Sequence, residues 1–182
     1  MPHVERRFAA SLALTLLTVL ACEPAESLPP TSVKPSDGPE TAWVEIAGEL
    51  FELELAIDSR DKQRGLSGRR TIAPDGGMLF VNPRPTPSAM VMRDCPVPID
   101  VAFLDATGRV VAIHEMKIEP PRGRDEDPLA YERRLPVYDS GAPAAFAVET
   151  AGGRLRALGL AVGDPLVFDA DALTKRARKT LP

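Results

Sequence analysis

Cysteine, histidine and aromatic residues are scarce in this chain, and their scarcity excludes several classes of protein. The 182 residues include two cysteines and two histidines, too few for a disulfide-rich scaffold or a zinc centre with several Cys and His ligands. A basic surplus is also missing, because 26 acidic residues outnumber 22 basic ones, and we therefore expect no nucleic-acid partner. Nineteen prolines predict short elements joined by many turns rather than long helices.

The amino terminus carries an apolar run that is too short to span a bilayer. Arg6 and Arg7 precede fourteen largely apolar residues at 8–21, whereas a membrane-spanning helix needs about 20. This order is typical of a secretory signal. A small alanine stands directly before Cys22, which resembles the lipobox of bacterial lipoproteins. We predict a lipoprotein signal peptide over 1–21 and lipidation of Cys22; the alternatives are an ordinary secretory signal with an incidental cysteine and an uncleaved anchor.

Three further segments follow the predicted signal. Residues 22–40 contain five prolines and almost no large apolar side chains, which predicts a disordered, Pro-rich tether. Regular structure is predicted from Thr41 onward, as a single β-rich domain over 41–170. Residues 171–182 form a basic C-terminal tail, which we expect to be frayed and solvated, with contact to anionic lipid as the alternative.

Alternating polarity and turn signals predict strands throughout the domain. Apolar residues occupy every second position over 51–57, which is typical of a half-buried strand. A short helix is predicted over 60–64, ended by Gly65. The clearest hairpin joins 99–104 to 109–115 through a turn that contains glycine. Seven or eight short strands with one short helix predict a mainly β fold, a compact antiparallel sandwich or barrel.

The middle of the domain resembles the domain of unknown function 192 family over residues 50–169. The matching segments, in family order, are FELELA at 51–56, RGL at 64–66, GMLFV at 77–81, MRDCPVPIDVAFLD at 92–105, AFAVE at 145–149 and LGLAVGD at 158–164. The order and spacing of the segments carry the resemblance. The family implies a small, mainly β domain, in agreement with the strand pattern, and it implies no known activity.

The sequence departs from the usual family pattern at several positions. Met90 and Val91 stand where the family usually has an aromatic pair. Residues 93–95, Arg-Asp-Cys, replace the usual Lys-Asn-Thr, and Ser67 replaces a frequent methionine. If that aromatic pair stacks on a ligand in the family, we do not expect this function in the present chain.

Few residues are available for catalysis or metal binding. After removal of the predicted signal and lipidation of Cys22, we expect His114 and Cys95 to remain as the free imidazole and the free thiol. They form a nucleophilic dyad only if the fold joins them, and the alternative is a partly buried thiol and a histidine on a polar strand face. Calcium binding by Asp94, Asp100 and Asp105 stays open, although no loop has calcium-binding spacing. We predict no cofactor, no metal and no assigned catalytic residue.

Asp100 stands out because it lies within an otherwise apolar segment. Buried carboxylates are rare unless they are paired or hydrogen-bonded. One interpretation places Asp100 at the floor of a ligand cleft. The preferred interpretation is structural, with Asp100 paired to Arg64, Arg69 or Arg93, or capping backbone amides. The candidate cleft residues are Met78, Phe80, Met92, Arg93, Asp94 and Asp100.

These observations lead to one functional hypothesis and one alternative. We expect an extracytoplasmic protein, lipid-anchored to a bacterial membrane in the periplasm or at the cell surface. Its domain is expected to be a binding or accessory module of the cell envelope, with a small molecule or a neighbouring envelope protein as partner. The alternative is a cell-envelope hydrolase or transferase that uses a cleft with Asp100 and Arg93; an open cleft with a second perturbed acid or base nearby would favour it.

Overall fold

A mixed six-stranded sheet forms the centre of the protein in the computed structural model, which describes residues 39–180. The predicted signal peptide, Cys22 and most of the predicted tether lie outside these residues. The strands are β1 (Thr41–Ile46), β2 (Glu49–Ala56), β3 (Gly76–Thr86), β4 (Ala89–Met90), β5 (Ile99–Leu104), β6 (Val110–Met116), β7 (Tyr138–Asp139) and β8 (Ala144–Ala151). The helices are α1 (Ser59–Arg64), α2 (Pro128–Arg134), α3 (Arg154–Ala157) and α4 (Ala170–Lys179). The order in the main sheet is β1-β2-β3-β8-β5-β6, and β4 and β7 form a separate pair.

One parallel pairing makes the main sheet mixed. β2 runs parallel to β3, from the pair Glu52 and Gly76 to the pair Ala56 and Phe80, and the other strand pairs are antiparallel. The connection that contains α1 provides the length that a parallel crossover needs. The prediction of a mainly β domain is confirmed. The described strands form an open mixed sheet instead of the expected antiparallel sandwich or barrel, because strand periodicity in the sequence carries no information on direction.

Local signals in the sequence account for α1 and for the β5–β6 hairpin. The Asp58 side chain accepts a hydrogen bond of 2.8 Å from the Asp61 backbone N–H, which caps the start of α1. Gly65 ends the helix with a φ of 51°, a conformation that favours glycine. β5 and β6 pair in antiparallel fashion as predicted, from Ile99 and Met116 to Leu104 and Val110. These elements are therefore specified within a few residues of where they form.

Two apolar clusters pack against the sheet. Alternate residues of β3 divide between them, with Leu79 and Val81 in the first cluster and Met78 and Phe80 in the second. Because successive side chains of a strand point to opposite faces, the clusters lie on opposite sides of the sheet. The second cluster also contains Cys95, and it is the one that opens onto the candidate site.

The carboxyl-terminal segment is a packed helix rather than the expected frayed tail. The Asp169 carboxylate accepts a hydrogen bond of 2.9 Å from the Ala172 backbone N–H at the start of α4. Leu173 and Ala177, one helical turn apart, are buried in the first cluster. The prediction was wrong because four basic residues dominate this stretch and the apolar stripe consists of few, small positions. Within residues 39–180, no helix has the length and apolar character needed to cross a membrane.

Candidate functional site

A cavity of about 150 Å³ opens onto the second apolar cluster, beside α1 and the segment before β5. Its floor and walls include Gly65, Leu66, Ser67, Phe80, Met90, Val91, Cys95 and Glu149, with Lys62, Arg64 and Arg93 also lining it. The cavity therefore combines apolar walls with one acidic side chain from β8 and several cations.

Glu149 is the buried carboxylate of this cavity. Its side chain lies on β8 and the residue is 5% exposed. Among the described residues, its Oε2 atom has no hydrogen-bond partner. Burial raises the pKa of Glu149 to about 7, and the backbone N–H of Leu66 partly opposes this shift. Near neutral pH the group therefore exists in both protonation states, so that it can donate or accept a hydrogen bond.

Two glycines make room for Glu149. A Cβ atom at Gly65 would lie 3.4 Å from Glu149 Oε2 and 3.5 Å from Phe80 Cζ, in the space next to the unpartnered oxygen. A Cβ atom at Gly77 would lie 2.0 Å from the Glu149 carbonyl oxygen, so only glycine lets β3 approach β8 this closely. The φ values are 51° at Gly65 and 149° at Gly77, and both conformations favour glycine.

Cys95 lines the same cavity as a protonated thiol. Its Sγ donates to the Arg93 carbonyl oxygen at 3.3 Å, and Ser67 Oγ donates to that oxygen at 2.8 Å. Burial, reinforced by the nearby Glu149, raises the pKa of Cys95 to about 11. Because the thiolate is the nucleophilic form, Cys95 is poorly suited to attack a substrate at neutral pH.

His114 does not join Cys95. Its Nε2 lies 2.7 Å from the Asp139 carbonyl oxygen, and its ring packs edge-on against Phe103 and Tyr138. The residues that line the cavity around Cys95 do not include His114. The dyad considered from the sequence is therefore not formed.

Arg93 and Asp94 are held by α2. The Arg93 guanidinium forms a two-point ion pair with Glu132, with Nε–Oε1 and Nη2–Oε2 distances of 2.5 and 2.8 Å. This hydrogen-bonded pair raises the pKa of Arg93 and lowers that of Glu132. The Asp94 backbone N–H donates to Tyr131 Oη at 3.1 Å, and that hydroxyl donates to Asp94 Oδ1 at 3.2 Å. Arg93 lines the cavity, whereas Asp94 is directed to Tyr131.

Asp100 has the structural role that the sequence analysis preferred. It is 1% exposed, and its Oδ1 and Oδ2 atoms accept hydrogen bonds from the backbone N–H groups of Gly153 and Leu155 at 2.8 and 3.0 Å. The carboxylate thus caps the start of α3. The expected arginine partners bind other acids: Arg64 pairs with Asp61, Arg69 with Glu54 and Arg93 with Glu132.

The predicted cleft is only partly assembled. Asp100 lines a different surface depression, with Glu115 and Lys117, so it does not share a cavity with Arg93. Met78 and Met92 are fully buried in the second apolar cluster, and Phe80 and Arg93 line the cavity. The prediction of a cleft that contains both Asp100 and Arg93 is therefore wrong. Asp100 caps the start of α3 and lies away from the cavity that Arg93 lines.

Sequence reasoning did not select Glu149, the central residue of the cavity. A glutamate at the end of a predicted strand is usually a solvated residue, and its burial depends on segments far away in the chain. One signal was available. Of the six positions that depart from the usual family pattern, all except Asp94 line this cavity, namely Ser67, Met90, Val91, Arg93 and Cys95.

The described residues do not assemble a metal site. Within residues 39–180, no three His, Cys, Asp or Glu side chains form a group suited to holding a metal ion. Asp105, considered with Asp94 and Asp100 for calcium, accepts hydrogen bonds from Thr107 and Arg109 in its own turn. The three aspartates thus take part in three separate sets of contacts.

Comparisons with known proteins concern the whole domain. The sequence profile of the family DUF192, described as "Uncharacterized ACR", matches residues 42–168. A crystal structure of a "putative transcription regulator" from Sinorhizobium meliloti 1021 is similar, with 28% identity and a TM-score of 0.56 over 70% of this chain and 92% of that chain. A protein of unknown function from Novosphingobium aromaticivorans DSM 12444 shares the fold, with 23% identity and a TM-score of 0.62 over 75% of this chain and 91% of that chain. No curated protein sequence matches this chain.

Proposed function

Because the chain belongs to the DUF192 family, whose description names no reaction, we propose a function from the residues of this chain. We infer that the protein is a lipid-anchored, extracytoplasmic binding protein of the cell envelope. Its β-rich domain binds a small molecule in the cavity at Glu149. A neighbouring envelope protein is the other partner that the sequence analysis considered, and it is not needed to explain the cavity.

The unpartnered Oε2 atom of Glu149 carries this proposal. A buried polar atom without a hydrogen bond costs about 1–3 kcal/mol, and more when it is charged. Such a group is rare in folded proteins and calls for a specific explanation. A ligand that donates a hydrogen bond to Oε2 offsets this cost, and the cavity next to Gly65 provides space for it.

The same geometry favours binding over catalysis. A hydrolase or transferase needs a second acid, base or nucleophile near the first. In the described part of the chain, Glu149 Oε2 makes no hydrogen bond to a second acid or base, and Cys95 is held as a thiol. A pKa near 7 does suit a general acid or base, so turnover of a bound compound would restore the enzyme alternative.

The proposed anchor rests on the amino-terminal sequence. Arg6 and Arg7, the apolar run and Cys22 follow one another in the order of a lipoprotein signal. Eighteen residues separate Cys22 from Thr41, where β1 begins. At about 3.1 Å per residue, a Pro-rich tether of this length holds the domain up to roughly 50 Å from the membrane.

Ligand binding can be tested with a library of small fragments. The purified protein and its Glu149→Gln variant are screened by ligand-observed NMR, and the domain is checked by thermal unfolding. We expect a group of fragments that bind the wild type and lose at least about tenfold in affinity in the variant. Asp171→Asn, an exposed change on α4, is the control and should leave binding unchanged. Binding that is equal in all three proteins would refute the site.

The anchor is tested separately by Cys22→Ser. In a bacterial host given a labelled fatty acid, the wild type is expected to take up label and to fractionate with membranes, because the Cys22 thiol receives the lipid. The Cys22→Ser variant should lose the label, and the matched variant Cys95→Ser should keep it. Label retained by Cys22→Ser would exclude the lipoprotein assignment.

A further inference from the structure

We propose that the ligand of the Glu149 cavity is a small zwitterion of the amino-acid type, with its ammonium group on Glu149 and its anionic group on Lys62. This inference rests on the proposed binding function and adds the chemical class of the ligand. It follows from the acid that lines the cavity, from a lining cation that has no ion pair among the described residues, and from the size and apolar walls of the cavity.

The acid at the floor selects a ligand with an ammonium group. Glu149 Oε2 has no hydrogen-bond partner among the described residues, although the side chain is almost completely buried. A neutral N–H or O–H would satisfy one lone pair, but a cation also compensates the charge that burial makes costly. Charge-assisted hydrogen bonds are roughly twice as strong as neutral ones. An ammonium group therefore gains most at this position.

Among the described residues, three cations line the cavity, and two of them are paired within the protein. Lys62, Arg64 and Arg93 all line it. Arg64 is paired with Asp61 at 2.9 Å, and Arg93 is paired with Glu132. Their charges are thus compensated within the protein.

Among the described residues that line the cavity, Lys62 is the cation without an ion pair. Its Nζ donates to the neutral side-chain amide of Asn82 at 3.2 Å, and it takes part in none of the ion pairs of the described residues. Partial burial lowers the pKa of Lys62, with Asp58 acting in the opposite direction. An anionic group on the ligand would stabilise the charged form of Lys62. The lining of the cavity therefore includes one acid and one cation that suit the two charged groups of a single molecule.

The volume of the cavity limits the body of the ligand. The cavity volume of about 150 Å³ is below the roughly 300–1,000 Å³ that is typical of sites for drug-sized molecules. Its walls include Leu66, Phe80, Met90 and Val91, which are apolar. A short aliphatic side chain fits this lining, whereas a nucleotide or an oligosaccharide is too large and too polar.

Four probes of similar size separate the contributions of the two charges. Norvaline carries both charges, butylamine only the positive one, butanoate only the negative one, and butanamide neither. Binding is measured by titration calorimetry on the full protein purified from membranes. We expect norvaline to bind about tenfold or more tightly than each of the other probes, since each charge adds one compensated ion pair.

Variants assign each charge to its residue. Glu149→Gln should remove the advantage of norvaline over butanoate, and Lys62→Met should remove its advantage over butylamine. Asp171→Asn and Lys175→Met, exposed changes on α4, are the matched controls and should leave both advantages intact. Thermal unfolding of each variant shows whether the domain is folded.

The outcomes distinguish this inference from the proposed function. Equal affinity for norvaline and butylamine, or an unchanged preference for norvaline over butylamine in Lys62→Met, overturns the assignment of a zwitterionic ligand. Fragments whose binding depends on Glu149 would still support a binding site. If none of the four probes binds at millimolar concentration, the inference is overturned, and the fragment screen alone decides the binding function.

Discussion

Two buried carboxylates in this protein differ in how their charge is compensated. Asp100 accepts two backbone hydrogen bonds, one on each oxygen, and so stabilises the start of α3. Glu149 leaves Oε2 without a partner in the described structure and shows a raised pKa. The first carboxylate therefore contributes to stability as it stands, whereas the second weakens the fold when it is ionised. The two residues call for opposite predictions on substitution.

Glu149→Gln is expected to change how stability depends on pH. The pKa of Glu149 is about 7 in the folded protein against an ordinary value of 4.5, so between these values the folded state keeps a proton that the unfolded state has lost. The free energy of unfolding of the wild type therefore falls as pH rises from about 4.5 to 7, by about 3 kcal/mol in total. Glutamine does not titrate, so the variant should not show this fall. Between about pH 4.5 and 7, its free energy of unfolding should therefore rise relative to that of the wild type by the same amount.

Urea unfolding of both proteins at pH 5 and pH 8 measures this effect. Lys62, Arg64, Arg93 and Cys95 also line the cavity and are present in both proteins. The pKa of Cys95, about 11, lies above the pH range compared. Parallel stability profiles over this range would contradict a raised pKa at Glu149.

Asp100→Ala is expected to destabilise the domain by about 2–4 kcal/mol, because it leaves the N–H groups of Gly153 and Leu155 without their acceptors. Asp100→Asn keeps one acceptor and should cost roughly half as much. Truncation of the exposed Arg124 to alanine is the control and should change stability by less than about 0.5 kcal/mol. Thermal and urea unfolding give the values; a cost for Asp100→Ala no larger than that of the control would disprove the capping role.

At the scale of elements, two short helices hold the cavity in place. α1 carries Lys62 and ends at Gly65, so the helix and its glycine cap set one wall. α2 holds the opposite segment through Tyr131 and Glu132, which bind Asp94 and Arg93. Asp94 has a φ of 52°, uncommon for a residue with a side chain, and its two contacts with Tyr131 help to hold that backbone. The cavity is thus built between elements rather than within one.

Helix α4 belongs to the folded domain, and Leu173 tests this. Leu173 is 4% exposed within the first cluster, so Leu173→Ala should cost about 2–4 kcal/mol through lost apolar burial and the cavity left behind. Lys175→Ala, an exposed change two residues later, should cost less than about 0.5 kcal/mol. Chemical unfolding measures both. Equal values for the two variants would mean that the segment contributes nothing to the core.

At the scale of the whole molecule, the sequence predicted features that depend on neighbouring residues better than features that depend on contacts between distant segments. The alternation over 51–57, the capped α1 and the β5–β6 hairpin are visible in the sequence because each depends on neighbouring residues. The parallel pairing of β2 with β3 and the packing of α4 depend on contacts between distant segments. Glu149 was missed for the same reason: its burial comes from α1 and the segment around Cys95, not from the strand that carries it.

The position of β8 in the sheet has a consequence for the timing of folding. β8 lies between β3 and β5 in the main sheet, yet it is the last of the eight strands along the chain. Until residues 144–151 have been synthesised, β1-β2-β3 and β5-β6 have no strand that joins them, and two edges of backbone hydrogen-bonding groups stay open. Assembly that waits for distant segments is slow. The proposed export as an unfolded polypeptide would suit this order of strands, because the main sheet cannot be completed before β8 is available.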